Sequence, residues 1–187
     1  YNEGADGPIY PTPVVGLVGE LPDPHRTPRS GFVHEGHVFG FAGPKTMPSL
    51  AASELAKLRG EPLPTELPEP DLDHAISVLA AIREAARAGD LATCHDVAEG
   101  GWLTAMAEAC LAGGIGARMF PSDDFDGELS DEILFGEMTC GFIVAGEREA
   151  LERLAEKIPV DIFGEVGGGA LVLDDDLTWS LDELREA

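Results

Sequence analysis

Apolar residues recur at helical spacing in two long stretches of the chain. In the first stretch the spacing predicts a helix from Leu72 to Ala86, and Gly89 follows it as a stop signal. In the second, Gly100 and Gly101 precede a predicted helix that ends at Gly113. Shorter helices are predicted at residues 50–58 with Ser49 as cap, after Ser130, at residues 147–158 and from Ser180.

Short apolar runs between these helices predict β-strands at residues 38–42, 91–94, 116–120, 140–145, 163–166 and 170–173. The last two runs flank Gly167, Gly168 and Gly169, so we predict a hairpin with a tight glycine turn. Residues 9–21 mix β-branched residues with proline and glycine, which is typical of an edge strand or an extended crossover. The alternation predicts an α/β (α+β) fold with helices packed on a mixed sheet.

Composition narrows the class of protein. A chain of 187 residues that is 44% hydrophobic is long enough for one domain with a substantial core, and it contains no apolar run of membrane-spanning length. The net charge of −23 argues against nonspecific nucleic-acid binding and against an anionic membrane surface. The three cysteines are far apart and form no CxxC motif, so we interpret them as small buried residues in a reducing compartment.

The stretch from Thr93 to Leu103 carries the candidate chemistry. A short strand ends in His95 and Asp96, and the glycine pair opens the next helix. Free N–H groups at a glycine-containing helix start allow close approach of an anion, and a neighbouring carboxylate can hold Mg²⁺. The alternative is a structural turn in which Asp96 caps the helix and the two glycines relieve crowding.

Four segments of the chain resemble segments of one enzyme family. The run HDVAEGGWLTAMAEACLAGGIG is similar to the family's His-Asp-x-Ser-x-Gly-Gly-Leu segment. The runs YNE…IYPTPVVG, LFGE and FGEVG…ALVL resemble, in the same order, the segment after its Gly-Asn-Val-Ser turn, a Leu-Phe-x-Glu run and the closing hairpin. Together the matches span nearly the whole chain, which thus resembles the phosphoribosylformylglycinamidine synthase family.

The resemblance implies a C-terminal fragment. Residues 1–20 would finish a nucleotide-binding-type domain, and residues 21–187 would form a domain like the C-terminal one of aminoimidazole ribonucleotide synthetase, a mixed sheet with helices on one side. The family is a cytoplasmic, ATP- and Mg²⁺-dependent ligase of purine biosynthesis. It converts formylglycinamide ribonucleotide and glutamine-derived ammonia to the amidine, with a glutaminase subunit and a small bridging subunit as partners.

The resemblance also assigns candidate site residues. Asp96 matches a Mg²⁺ ligand, while Ala98, Gly100 and Gly101 match a nucleotide-binding turn whose serine is replaced here by alanine. Glu137 matches a substrate contact. No catalytic residue is predicted in this chain, because the family's catalytic groups lie upstream, and the isolated fragment is expected to be inactive.

Two alternatives stay open. One is another enzyme of the same superfamily, such as selenide water dikinase, thiamine monophosphate kinase or the hydrogenase-maturation carbamoyl dehydratase. The other is a non-catalytic docking module of the complex, which the alanine at Ala98 favours.

Overall fold

The computed structural model describes residues 3–4, 7–8, 14–45, 47–120, 129–174 and 177–186. The predicted extended run at residues 9–21 therefore lies partly outside the described residues.

The strands are β1 (Glu3–Gly4), β2 (Gly7–Pro8), β3 (Val38–Ala42), β4 (Thr93–Val97), β5 (Ala117–Met119), β6 (Gly141–Gly146), β7 (Val160–Val166), β8 (Ala170–Val172) and β9 (Thr178–Ser180). The helices are α1 (Glu54–Leu58), α2 (Leu72–Ala88), α3 (Gly101–Gly113), α4 (Asp131–Phe135), α5 (Arg148–Ala155) and α6 (Leu181–Glu186), with a 3₁₀ turn at Pro24–Arg26.

Among the described residues, seven strands form one mixed sheet in the order β4-β6-β3-β7-β5-β8-β9. Neighbouring strands run antiparallel except β5 and β8, which are parallel. The predicted mixed sheet is confirmed.

The hydrophobic core consists of two clusters, and successive residues of the central strands belong alternately to one cluster and the other. Phe39 on β3 and Ile143 on β6 pack with the buried side of α3, whereas their neighbours Val38 and Val144 pack with α2 and α5. Successive side chains of a strand point to opposite faces, so the two clusters lie on opposite sides of the sheet. The mixed sheet with packed helices agrees with the prediction, but the helices cover both faces and not one side, because the central strands carry buried apolar residues on both faces.

The glycine run after β7 does not make the predicted hairpin. β5 lies between β7 and β8, antiparallel to the first and parallel to the second. Gly167 donates its N–H to the carbonyl of Gly116, and Gly116 donates to the carbonyl of Gly168, so the glycines bridge across the start of β5. The hairpin near the C-terminus is formed instead by β8 and β9, in which Ala170 pairs with Ser180.

The predicted helix at residues 50–58 begins later than expected, at Glu54. Its cap is Ser53, whose fully buried hydroxyl accepts a hydrogen bond from the N–H of Ala56 at 3.1 Å. Ser49, the predicted cap, pairs its backbone with Glu137 in an isolated antiparallel bridge. The predicted cap at Ser49 is therefore wrong, because the long-range bridge holds its backbone in an extended pairing and the helix begins at the next serine.

A substitution at Gly164 on β7 can test how closely the core between the sheet and α3 is packed. A Cβ there would overlap the ring of Phe39 and approach the carbonyl oxygen of Arg118 at 2.6 Å. We expect Gly164→Ala to lower the free energy of unfolding in urea by about 1–3 kcal/mol, because a filled core has no room for the methyl group. Gly167→Ala is the matched control, since nothing lies within 4 Å of its Cβ, and its change should stay within about 0.5 kcal/mol.

His37 lies just before β3 in a largely buried position. Its Nε2 is 3.5 Å from Oε1 of Glu147, and its ring meets that of His34 edge-on, with 4.9 Å between the ring centroids. Burial lowers the pKa of His37 and the neighbouring His34 lowers it further, while Glu147 opposes both effects. Folding therefore disfavours the protonated imidazole.

This lowered pKa predicts a pH-dependent contribution to stability. Just below pH 6.5 the unfolded chain binds a proton at His37 more readily than the folded chain does, so stability falls as the pH is lowered through this window. In urea unfolding between pH 7.5 and about 5, His37→Gln should therefore lose less stability than the wild type. The exposed His25→Gln variant is the control. Parallel curves for His37→Gln and wild type would contradict the assignment.

Candidate functional site

The strand that leads to the glycine turn is longer than predicted. β4 runs through Asp96, which pairs with Phe142 of β6. Val97 packs in the α3 cluster and Cys94 against the α2–α5 cluster, so alternation places Asp96 on the face opposite to α3. The N-cap of α3 is Gly100 and it has no side-chain cap. The alternative in which Asp96 caps this helix is therefore wrong.

Asp96 has few partners. Its side chain is 74% exposed, and Oδ1 lies 3.9 Å from Nδ1 of His95, whose Nε2 is 3.4 Å from Oε2 of Glu108. Within the described ranges, no group of three or more His, Cys, Asp or Glu side chains could hold a metal ion. Mg²⁺ keeps several bound waters and is usually held by one or two carboxylates together with substrate phosphates. Among the described residues Asp96 therefore supplies at most one ligand of such a site.

The two glycines of the turn are held in a conformation that excludes other residues. Their φ angles are +79° at Gly100 and +75° at Gly101, in the left-handed region. A Cβ on Gly101 would lie 2.6 Å from the backbone carbon of Phe135, and one on Gly100 would lie 2.6 Å from the hydroxyl of Thr104. The glycines therefore allow α3 to begin directly against the end of α4.

Glu137 occupies the position at which an anion would meet this turn. Its Oε1 accepts the N–H of Gly100 at 2.9 Å and the N–H of Glu54 at 2.8 Å. One carboxylate thus joins the N-terminal ends of α3 and α1, where negative charge is favoured. The sequence predicts that the N–H of Gly100 binds an anionic ligand. In the structure this N–H already donates its hydrogen bond to Glu137 of the same chain. Ala98 is exposed, and its carbonyl accepts the N–H of Gly101.

A cavity of about 570 Å³ beside the turn was not predicted. Its walls include the aromatic rings of Phe41, Trp102 and Phe163, and Lys45 and Asp161 supply polar groups. The rings of Trp102 and Phe163 lie 5.4 Å apart. The volume is within the range of small-molecule sites. These residues come from three separate parts of the chain, and Trp102 and Phe163 belong to two different motifs, so the sequence carried no local signal for the cavity.

Two of the three cysteines are poor nucleophiles. Burial, with a smaller effect of Asp96, raises the pKa of Cys94 to about 11, and burial raises that of Cys110 to about 12. Thiols with such values stay protonated near neutral pH. Cys110 is buried as the sequence predicts, whereas Cys94 and Cys140 are only partly buried.

Residues 43–175 match the family model described as AIR synthase related protein, C-terminal domain. The chain belongs to this family. It is 38% identical to the phosphoribosylformylglycinamidine synthase subunit PurL of Moorella thermoacetica over 179 residues, which is 92% of this chain and 24% of that protein. The PurL subunit of Thermomicrobium roseum is 38% identical over 202 residues, covering all of this chain and 26% of that protein. The chain therefore spans about a quarter of the length of these relatives.

Solved structures share the fold of this AIR synthase related domain. T. maritima PurL complexed with FGAR superimposes with a TM-score of 0.64 at 20% identity, covering 86% of this chain and 30% of that one. The hydrogenase maturation protein HypE superimposes with a TM-score of 0.50 at 17% identity, covering 90% of this chain and 52% of that one. In the described part of the chain, no helix combines the length and apolar character needed to cross a membrane.

Glu137 can be tested as the link between the two helices. Glu137→Ala leaves the amides of Gly100 and Glu54 without their acceptor, and we expect a loss of about 1.5–3 kcal/mol in the free energy of unfolding. Glu137→Gln should lose less, because the amide oxygen still accepts both bonds without the charge. The exposed loop variant Glu66→Ala is the control, and equal losses for Glu66→Ala and Glu137→Ala would contradict the link.

Proposed function

We propose that this chain is the C-terminal part of a phosphoribosylformylglycinamidine synthase. The whole protein would use ATP to convert formylglycinamide ribonucleotide and glutamine-derived ammonia to formylglycinamidine ribonucleotide. Its reaction class would be an ATP-dependent ligase that forms a C–N bond. The alignment carries this proposal, since 92% of the chain aligns to a PurL subunit at 38% identity.

The family motifs strengthen the assignment because they occur in order. The HDVAEGG turn, the LFGE run and the FGEVG run fall at the β4–α3 connection, at the end of α4 and in β7 respectively. These are three different places in one fold, so a chance match of a single motif does not explain them. The domain boundary near residue 20 and the cytoplasmic location remain part of this proposal.

Within that enzyme we propose that this domain shapes the active site rather than supplying its reacting groups. Three observations favour this role. Asp96 is exposed and stands outside any metal-binding cluster of the described residues, Ala98 lacks a hydroxyl, and Glu137 takes the Gly100 amide. ATP would be bound chiefly by upstream residues. Mg²⁺ would accompany the nucleotide, with Asp96 as at most one ligand.

Solved relatives support the partners of the proposal. The T. maritima structures include PurL complexed with ATP, PurL complexed with FGAR and a PurLQS assembly. We propose that the whole protein binds the same two ligands and works with a glutaminase subunit and a small bridging subunit. The rival enzymes of the superfamily share the fold, as the HypE superposition illustrates, but the PurL relatives favour the named reaction.

Phosphate release by the protein in its full encoded length tests the reaction. With ATP and ammonia we expect release that depends on formylglycinamide ribonucleotide and rises at least about 100-fold on its addition, as for an enzyme acting on its proper substrate. Release that depends on selenide or thiamine phosphate instead would keep the fold family and discard the named enzyme.

Asp96→Asn then separates the scaffold role from a metal role. We expect kcat/KM to stay within about threefold of wild type, because a side chain that binds no reacting group contributes little to transition-state stabilisation. Glu99→Gln, an exposed acid in the same turn, is the matched control. A fall of about 100-fold or more for Asp96→Asn alone, with the unfolding curve unchanged and partial rescue by raised Mg²⁺, would show that Asp96 is a ligand.

A further inference from the structure

A pocket of about 630 Å³ lies between residues 20–28 and the C-terminal half of α2. Three arginines line it, Arg26 from the 3₁₀ turn and Arg83 and Arg87 from the helix. The chain has only 12 lysines and arginines and a net charge of −23, so three basic side chains at one place are a marked local concentration. We call this site the arginine pocket.

Two of the three arginines have no carboxylate partner. Arg83 and Arg87 are four residues apart and therefore lie on the same side of α2. In the part of the chain that the structure describes, no salt bridge joins either of them to a carboxylate. Arg26 is held in place, since its Nε lies 3.4 Å from Oδ2 of Asp23 and its Nη1 donates to the carbonyl of Arg87 at 3.4 Å. The pocket thus combines one fixed guanidinium with two that can pair with a ligand.

Two carboxylates line the same pocket, and one of them already has partners. Asp23 accepts the N–H of His25 at 2.9 Å, which caps the 3₁₀ turn, and it pairs with Arg26. Glu20 forms no salt bridge with any described residue. Three guanidinium groups against two carboxylates leave the pocket with a formal charge of +1.

The end of α2 contributes little negative potential to the pocket. Unbonded carbonyls at a helix C-terminus would oppose an anion. Here the carbonyls of Ala85 and Ala86 accept the backbone N–H of the cap residue Gly89, and the carbonyl of Arg87 accepts from Arg26. The arginines therefore dominate the local charge.

We propose that the arginine pocket binds the phosphate group of a small phosphate monoester. A phosphate dianion has three terminal oxygens and accepts hydrogen bonds from more than one guanidinium, which is the side chain best suited to bidentate pairing with phosphate. Leu21, Pro22 and Ala86 also line the pocket, so it has an apolar wall for the carbon body of the ester. The volume is within the range of small-molecule sites.

The pocket lies on the side of the sheet opposite to the Gly100 turn. Ile82 and Ala85 of α2 belong to the cluster that faces away from α3. Binding in the pocket therefore does not rest on the reaction proposed above. The acidic remainder of the chain weakens it only moderately, because charges more than about 8 Å apart are largely screened at 0.15 M salt. We expect a dissociation constant below about 1 mM, which is ordinary for a ligand of about ten non-hydrogen atoms.

Titration calorimetry with phenyl phosphate in about 0.15 M salt tests the site on the protein in its full encoded length. We expect the wild type to bind one equivalent more than the double variant Arg83→Gln/Arg87→Gln. The comparison isolates this pocket, because any other phosphate site of the protein is the same in both. Arg118→Gln, at an exposed arginine of β5 that also has no salt bridge among the described residues, is the matched control and should leave the affinity within about twofold. Urea unfolding curves check that each variant keeps the fold.

Two further comparisons test the charge and the apolar wall. Glu20→Gln should tighten the binding of phenyl phosphate about threefold, because it removes a like charge from the pocket. Inorganic phosphate should bind at least about tenfold more weakly than phenyl phosphate, because it buries no apolar surface. Equal affinities for the two probes would overturn the assignment to a monoester. An unchanged number of equivalents in the double variant would overturn the site itself.

Discussion

The central strands of the sheet are apolar on both faces, and the arrangement of the helices follows from this constraint. β3 and β6 place buried residues alternately in the two core clusters, so each face has to be covered. α3, α4 and α6 cover one side, and α2 and α5 cover the other. Because β4 pairs with the outer side of β6, its connection to α3 must turn at the edge of the sheet, and this is where the family motif lies.

At that turn the electrostatics of helix ends and the requirement for close packing act together. Gly101 lets the start of α3 approach the end of α4, and that approach positions Glu137 to accept the Gly100 amide. The same carboxylate accepts the first amide of α1. A helix start attracts an anion whether a ligand or a side chain supplies it. Here the carboxylate of Glu137 is that anion. A turn whose sequence resembles a phosphate-binding motif therefore joins two helices of the domain instead.

The sequence predicted the features that depend on local spacing. The helices at α2 and α3, the cap at Ser130 and the strand at residues 38–42 agree with the structure because periodicity and caps are local. Features that depend on pairing between distant residues were wrong. The glycines after β7 bridge across β5 because a strand some 50 residues earlier inserts beside it, and Ser49 lost its predicted capping role to a bridge with Glu137. The double role of Glu137 has no sequence signal, since both amides belong to remote segments.

The charge distribution is compatible with the proposed place of this acidic domain in a nucleotide-dependent enzyme. A charge of −23 repels phosphate groups at long range, so a ligand of that kind at the family motif requires cations or a metal from elsewhere. The one helix-start amide identified as a phosphate donor is bonded to Glu137, and Arg83 and Arg87 lie on the α2 side of the sheet, opposite to α3. These two arginines and the family motif are thus separated by the sheet. This separation favours a domain that packs and positions its neighbours while the groups that bind the phosphates of ATP lie in other parts of the protein.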